Sequence, residues 1–101
     1  MKAKTQTYVG FEEDGHGLTQ LGRIVLDARI FGLIDEREAC AGWELARMQT
    51  LMQQVDALWD RYGHLPSRLP DDLRARHAQI YEQAMARARQ RGWNPELDEE
   101  E

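Results

Sequence analysis

The feature that most constrains this chain is an apolar period running from about Asp35 to Tyr62. Met48, Leu51, Met52, Val55, Leu58, Trp59 and Tyr62 recur by threes and fours, with no proline in the stretch and one glycine, Gly42, near its start. That spacing marks one face of an amphipathic helix. A helix over 35–62 presents an apolar stripe that other helices, or another chain, must cover.

Two further helices are predicted around it. The first spans about 18–31, with Leu21, Ile24, Val25, Ala28 and Phe31 on its inner face. Leu26, Ile30, Leu33 and Ile34 widen that face beyond one stripe, so this short helix is expected to be central, and Gly32 falls at its C-terminal cap. Asp35 is expected to cap the second helix, with Glu36 and Glu38 against the positive end of its dipole and Gly63 at its end. The third helix spans about 70–91. Pro70, Asp71 and Asp72 suit its start, Arg87, Arg89 and Arg91 its negative end, and Gly92 its cap. The expected fold is all-α: an antiparallel bundle of three helices preceded by an N-terminal arm or short strand.

Residues 1–17 differ in composition from this bundle. Thr5–Phe11 is rich in Thr, Tyr, Val and Phe and suits a short strand, whereas Glu12–Gly17 is turn chemistry. Such a lone strand has nothing in this chain to pair with, so it is expected to pair with a second copy or to remain an arm, and Tyr8, Val9 and Phe11 are apolar enough to dock on the bundle or on a neighbouring subunit. The division is an arm over 1–17, a helical domain over 18–93 and an acidic tail over 94–101, where five acids stand without a base. The tail is expected to be mobile, because like charges repel and little apolar surface offsets the entropy of ordering it.

A chain of 101 residues with 42% hydrophobic and 31% charged residues fits one small soluble domain. It has no apolar run near the roughly 20 residues that cross a bilayer. The opening MKAKTQTYVG lacks the apolar core of a secretory signal, and one cysteine, Cys40, cannot form an intramolecular disulfide. A cytoplasmic protein is expected. The net charge of −5 argues against a protein that coats nucleic acid.

No residue pattern announces chemistry. Cys40 and Trp43, one turn apart on the predicted helix, could line a cofactor or enzyme pocket. Glu36, Glu38 and Glu44 around Cys40 disfavour a thiolate, however, and a small buried core residue is the expected role. Asp60 and His64 have i,i+4 spacing, yet His16, His64 and His77 form no zinc pattern, and no metal or cofactor is expected. The acids of 35–62 fall mostly between the apolar positions, as on a solvated face. Arg74, Arg76, Arg87, Arg89 and Arg91 could meet phosphates, but no helix-turn-helix or interleaved stacking aromatics accompany them. They suit dipole compensation or recognition of an acidic protein surface, including this chain's own tail.

The expectation that follows is a non-catalytic interaction protein, an assembly, adaptor or regulatory subunit that docks on a larger protein and also self-associates. Met48, Met52, Trp59, Tyr62, Arg87 and Arg91 are its expected partner-binding residues, since thioethers, aromatics and arginine are favoured at interfaces. The alternatives are a nucleic-acid-associated regulator using the arginine-rich third helix, and a small cofactor-binding or enzyme subunit near Cys40 and Trp43. Specific nucleic-acid binding and membrane association are not expected.

Overall fold

A computed structural model describes residues 6–15 and 18–92. Among the described residues all regular structure is helical: α1 Gln20–Ile30, α2 Leu45–Asp60 and α3 Asp71–Gln90, with 3-10 turns at Phe11–Glu13 and Pro66–Arg68. The all-α, three-helix architecture read from the sequence is the one the chain adopts. The acidic tail, together with Trp93, His16 and Gly17, lies outside the described residues.

Helix α1 starts where Thr19 caps it, its hydroxyl accepting from the Gly22 amide at 3.0 Å. It is the central element, packed by α2 on one side and α3 on the other. Two-sided packing explains its broad apolar face: Ile24, Val25, Leu26, Ala28 and Ile30 are all buried. Val25 and Leu26 are shut off from water, and each such burial stabilises the fold by about 1.5–3 kcal/mol.

The contacts give the helix directions. Ile30 lies near Leu73 and Arg76, whereas Leu26 lies near Ile80 and Ala84, so α3 runs antiparallel to α1. Leu21 meets Leu45 and Met48, Asp27 bonds Trp59, and Phe31 stacks on Tyr62. Helices α1 and α2 therefore run the same way, and α3 opposes both. The reason lies in the connection. The whole of 31–44 is a crossover that carries the chain back alongside α1 before α2 begins.

The predicted start of α2 at Asp35 is corrected by this crossover. The carboxylate of Asp35 accepts from the Arg37 amide at 2.8 Å, and that of Glu38 accepts from the Cys40 amide at 2.9 Å. Each acid satisfies a turn rather than a helix end. Cys40 has φ 60 and Gly42 φ 78, and the Trp43 amide closes a turn on the Cys40 carbonyl at 3.2 Å. A helix cannot pass through those positive φ values. Cys40 and Trp43 consequently do not share a helix face.

The arm also departs from expectation, because it has a partner in its own chain. Thr7 bridges antiparallel to Glu44. Tyr8 donates to the Trp43 carbonyl at 2.8 Å, Gly42 to Tyr8 at 2.9 Å, Leu45 to Gln6 at 3.1 Å and Phe11 to Ala39 at 2.8 Å. The freed crossover supplies backbone partners for the arm, through one isolated bridge and these hydrogen bonds, that a helix over 35–62 would have removed. Tyr8 and Phe11 are buried in the same core as Leu26, Met48 and Val55. Gly10, at φ 98, comes so near Ala41 that a Cβ there would lie 2.7 Å from the Ala41 Cβ.

Candidate functional site

The richest assembly of charged groups lies in a cleft of about 390 Å³ between α1, α3 and the crossover. Arg29 comes from the last turn of α1, Arg37 from the crossover, and Arg76 and Arg87 from α3. Eleven residues are close to three helical turns, so Arg76 and Arg87 fall on one side of α3. Glu36 is the one carboxylate among the lining residues. Phe11, Leu26, Ile80 and Ala84 supply apolar lining, and Gln79 and Gln83 supply two side-chain amides one turn apart.

Three of the four guanidiniums, those of Arg29, Arg76 and Arg87, are held in place by the fold. Arg29 donates through Nε and Nη2 to the Glu38 carbonyl at 3.0 and 2.7 Å, and its head lies 4.9 Å from the Phe11 ring centroid. Burial makes it a weaker base than usual. Arg87 pairs with Glu12, and that hydrogen bond pulls the Glu12 pKa down and the Arg87 pKa up. The Arg87 head also approaches the Phe11 ring, at 5.9 Å. Arg76 donates through Nη2 to the Arg29 carbonyl at 3.2 Å and to Glu36 at 3.3 Å. Its Nε is closed off from water and has no acceptor among the described residues.

A second polar cluster ties the three helices together. Asp27 on α1 accepts from the Tyr81 hydroxyl of α3 at 2.6 Å and from the Trp59 indole of α2 at 3.2 Å. His77 stacks on Tyr81 at 4.6 Å and meets Trp59 edge-on at 5.9 Å. Burial raises the Asp27 pKa despite both hydrogen bonds, and burial lowers that of His77. The Tyr81 pKa is raised, first by burial and then by the Asp27 charge. Both carboxylate oxygens of Asp27 are already engaged, so this cluster fixes the helix register. A third, smaller network joins the arm to α1: the Tyr8 and Thr19 hydroxyls both donate to Asp14, Tyr8 at 2.7 Å.

Cys40 is 0% exposed, and burial, followed by the Glu38 charge, pushes its thiol up to about 11. Trp43 is half-buried under Arg47, whose head lies 3.6 Å from its ring. His64 pairs with Asp60 at 2.6 Å on the surface. Among the described residues no three His, Cys, Asp or Glu side chains gather as a metal cluster, and no helix is long and apolar enough to cross a membrane.

The structure distributes the expected partner-binding residues over separate places. Met48 and Trp59 are core residues, 1% and 8% exposed. Met52 borders the groove between α1 and α2, and Tyr62 stacks on Phe31. Arg87 enters the cleft, whereas Arg91 donates to the Gly15 carbonyl at 2.9 Å on the surface. Sequence reasoning did not place Arg29 or Arg37 at a site, because Arg29 reaches Arg76 through the packing of α1 on α3 and Arg37 through the crossover. The one available signal was the eleven-residue spacing of Arg76 and Arg87. Comparison with family models, curated proteins and solved structures finds no match to this chain.

Proposed function

We propose that this chain is a non-catalytic interaction subunit that docks an acidic segment of a protein partner into the arginine-lined cleft. One observation carries the reading: the guanidiniums of Arg29, Arg37, Arg76 and Arg87 line one cleft, where the ion pairs of Arg76 with Glu36 and of Arg87 with Glu12 are open to solvent. Planar guanidinium forks match carboxylates two bonds at a time. A chain of net charge −5 that concentrates arginines in one cleft directs anions there rather than over its whole surface.

Calorimetry with hexaglutamate and hexalysine tests this. Hexaglutamate should bind and lose affinity as salt rises, and hexalysine should not bind. Arg76→Gln should weaken binding by about 1.5–3 kcal/mol, the scale of one hydrogen bond between charged groups. Arg74→Gln and Arg89→Gln lie outside the cleft and should leave binding unchanged. An equal effect from all three variants would show diffuse attraction and no site.

Self-association is part of the same reading, although the arm and the crossover already cover faces that a second copy would otherwise cover. Light scattering at micromolar concentration decides it. A dimer mass supports self-association, and a constant monomer mass counts against it.

A further inference from the structure

We infer that the cleft is bipartite: it reads two carboxylates about five residues apart on an extended peptide, with an apolar residue between them. The inference rests on the proposed docking of acidic segments and specifies their pattern.

Its first support is the division of the cations into two ends. Arg76 and Arg87 are eleven residues apart on α3, which places their origins about 16 Å apart along the helix. Glu36 bonds Arg76, and Arg37 follows Glu36 in the chain, so the crossover marks one end. Arg29 and Arg87 both lie against Phe11, so the arm marks the other. An extended peptide rises about 3.3 Å per residue, so five residues span that separation.

The second support is that each end already holds a carboxylate from this chain. Glu36 sits on Arg76 and Glu12 sits on Arg87. Both acids are more than half exposed and both ion pairs are open to solvent. Such pairs are weak and exchangeable. They show which atoms an incoming carboxylate would engage.

The third support is the lining between the ends. Ile80, half-buried above the core residues Leu26 and Ala84, offers apolar surface, and the exposed Gln79 and Gln83 offer amides that both donate and accept, as a peptide main chain requires. A single phosphate would need the guanidiniums to converge on one point. A nucleic-acid strand would need an open aromatic face for its bases. Phe11 is 4% exposed and is flanked by two guanidiniums, so it provides no such face.

Fluorescence anisotropy with labelled peptides tests the pattern on the full chain. The probes carry two glutamates separated by one to six residues of alanine with one central leucine. Affinity should peak at four intervening residues and fall about tenfold when the two glutamates are brought within one residue. Glu36→Gln and Glu12→Gln should each tighten binding several-fold, because each releases one end, and a gain cannot arise from misfolding. Replacing one peptide glutamate by glutamine should abolish the effect of one variant and spare the other. Arg76→Gln and Arg37→Gln should respond to the same peptide glutamate. Affinity independent of spacing, or both variants coupling equally to both glutamates, would overturn the bipartite site while leaving acidic docking standing. Tighter binding of inorganic phosphate or oligothymidylate than of any peptide would overturn it too. Failure of every acidic peptide to bind would remove the proposed function as well.

Discussion

Replacing Gly10 by alanine should strongly destabilise this fold. Gly10 has φ 98 and ψ 150, a region open essentially to glycine alone, where other residues cost about 1–3 kcal/mol. An alanine Cβ would also stand 2.7 Å from the Ala41 Cβ and 3.0 Å from the Ala41 Cα. Carbon atoms prefer about 3.5–4.0 Å, so the arm must retreat by roughly 1 Å. The four backbone hydrogen bonds that join the arm to 39–45 are the bonds this movement stretches. Overpacking of this kind costs about 1–3 kcal/mol. Together the two effects reach about 2–6 kcal/mol, a large part of the 5–15 kcal/mol typical of whole domains. At about 4–8 °C per kcal/mol, the melting temperature should fall by roughly 8 °C or more. Thermal melts of three variants separate the contributions. Gly42→Ala meets no atom within 4 Å at φ 78, so it should show only the backbone cost. Adding Ala41→Gly to Gly10→Ala should recover part of the steric loss. A Gly10→Ala melt within 2 °C of the parent chain would refute the docked arm.

Two other outcomes follow from the cluster around Asp27. Trp59→Ala removes a buried ring and the indole donor to Asp27, so it should cost about 3–5 kcal/mol in urea unfolding, and a loss under 1 kcal/mol would contradict the packing. Burial lowers the His77 pKa below its ordinary value, so the unfolded chain takes up the proton first. The contribution of His77 is then complete above about pH 6.5 and is lost as pH falls through its lower folded value. Measured as a difference from the parent chain, His77→Phe should gain stability as pH falls through that window, and parallel stability curves would refute the linkage.

Much of the helical frame was legible because local signals and tertiary demands agreed. Thr19 and Gly32 bracket α1, and Pro70 and Gly92 bracket α3, each within two residues of the observed ends. At Asp35 they disagreed. An acid followed three residues later by Glu38 reads as a helix start, yet both side chains close turns on nearby amides. The apolar residues before Leu45 carried a warning: Ala39, Cys40, Ala41 and Trp43 are nearly contiguous rather than spaced by threes and fours. Losing the crossover also hid the partner of the arm. The cleft was less legible still, since Arg29, Arg37 and Arg76 come from three segments and share no period along the chain.

The pairing of the arm with the crossover bears on the order in which the chain can fold. Thr7 and Glu44 enclose α1 between them, so their meeting closes a loop around that helix. Loop closure grows more unfavourable with length, by about 0.6 kcal/mol for each doubling. A helix formed inside the loop shortens the flexible path, whereas an unstructured segment leaves it long. Formation of α1 should therefore precede the clasp, and the clasp should precede the docking of α2, whose first turn begins at the clasped residue. Amide exchange during refolding should then protect Ile24–Ala28 before Tyr8 and Gly42, with Leu51–Val55 last.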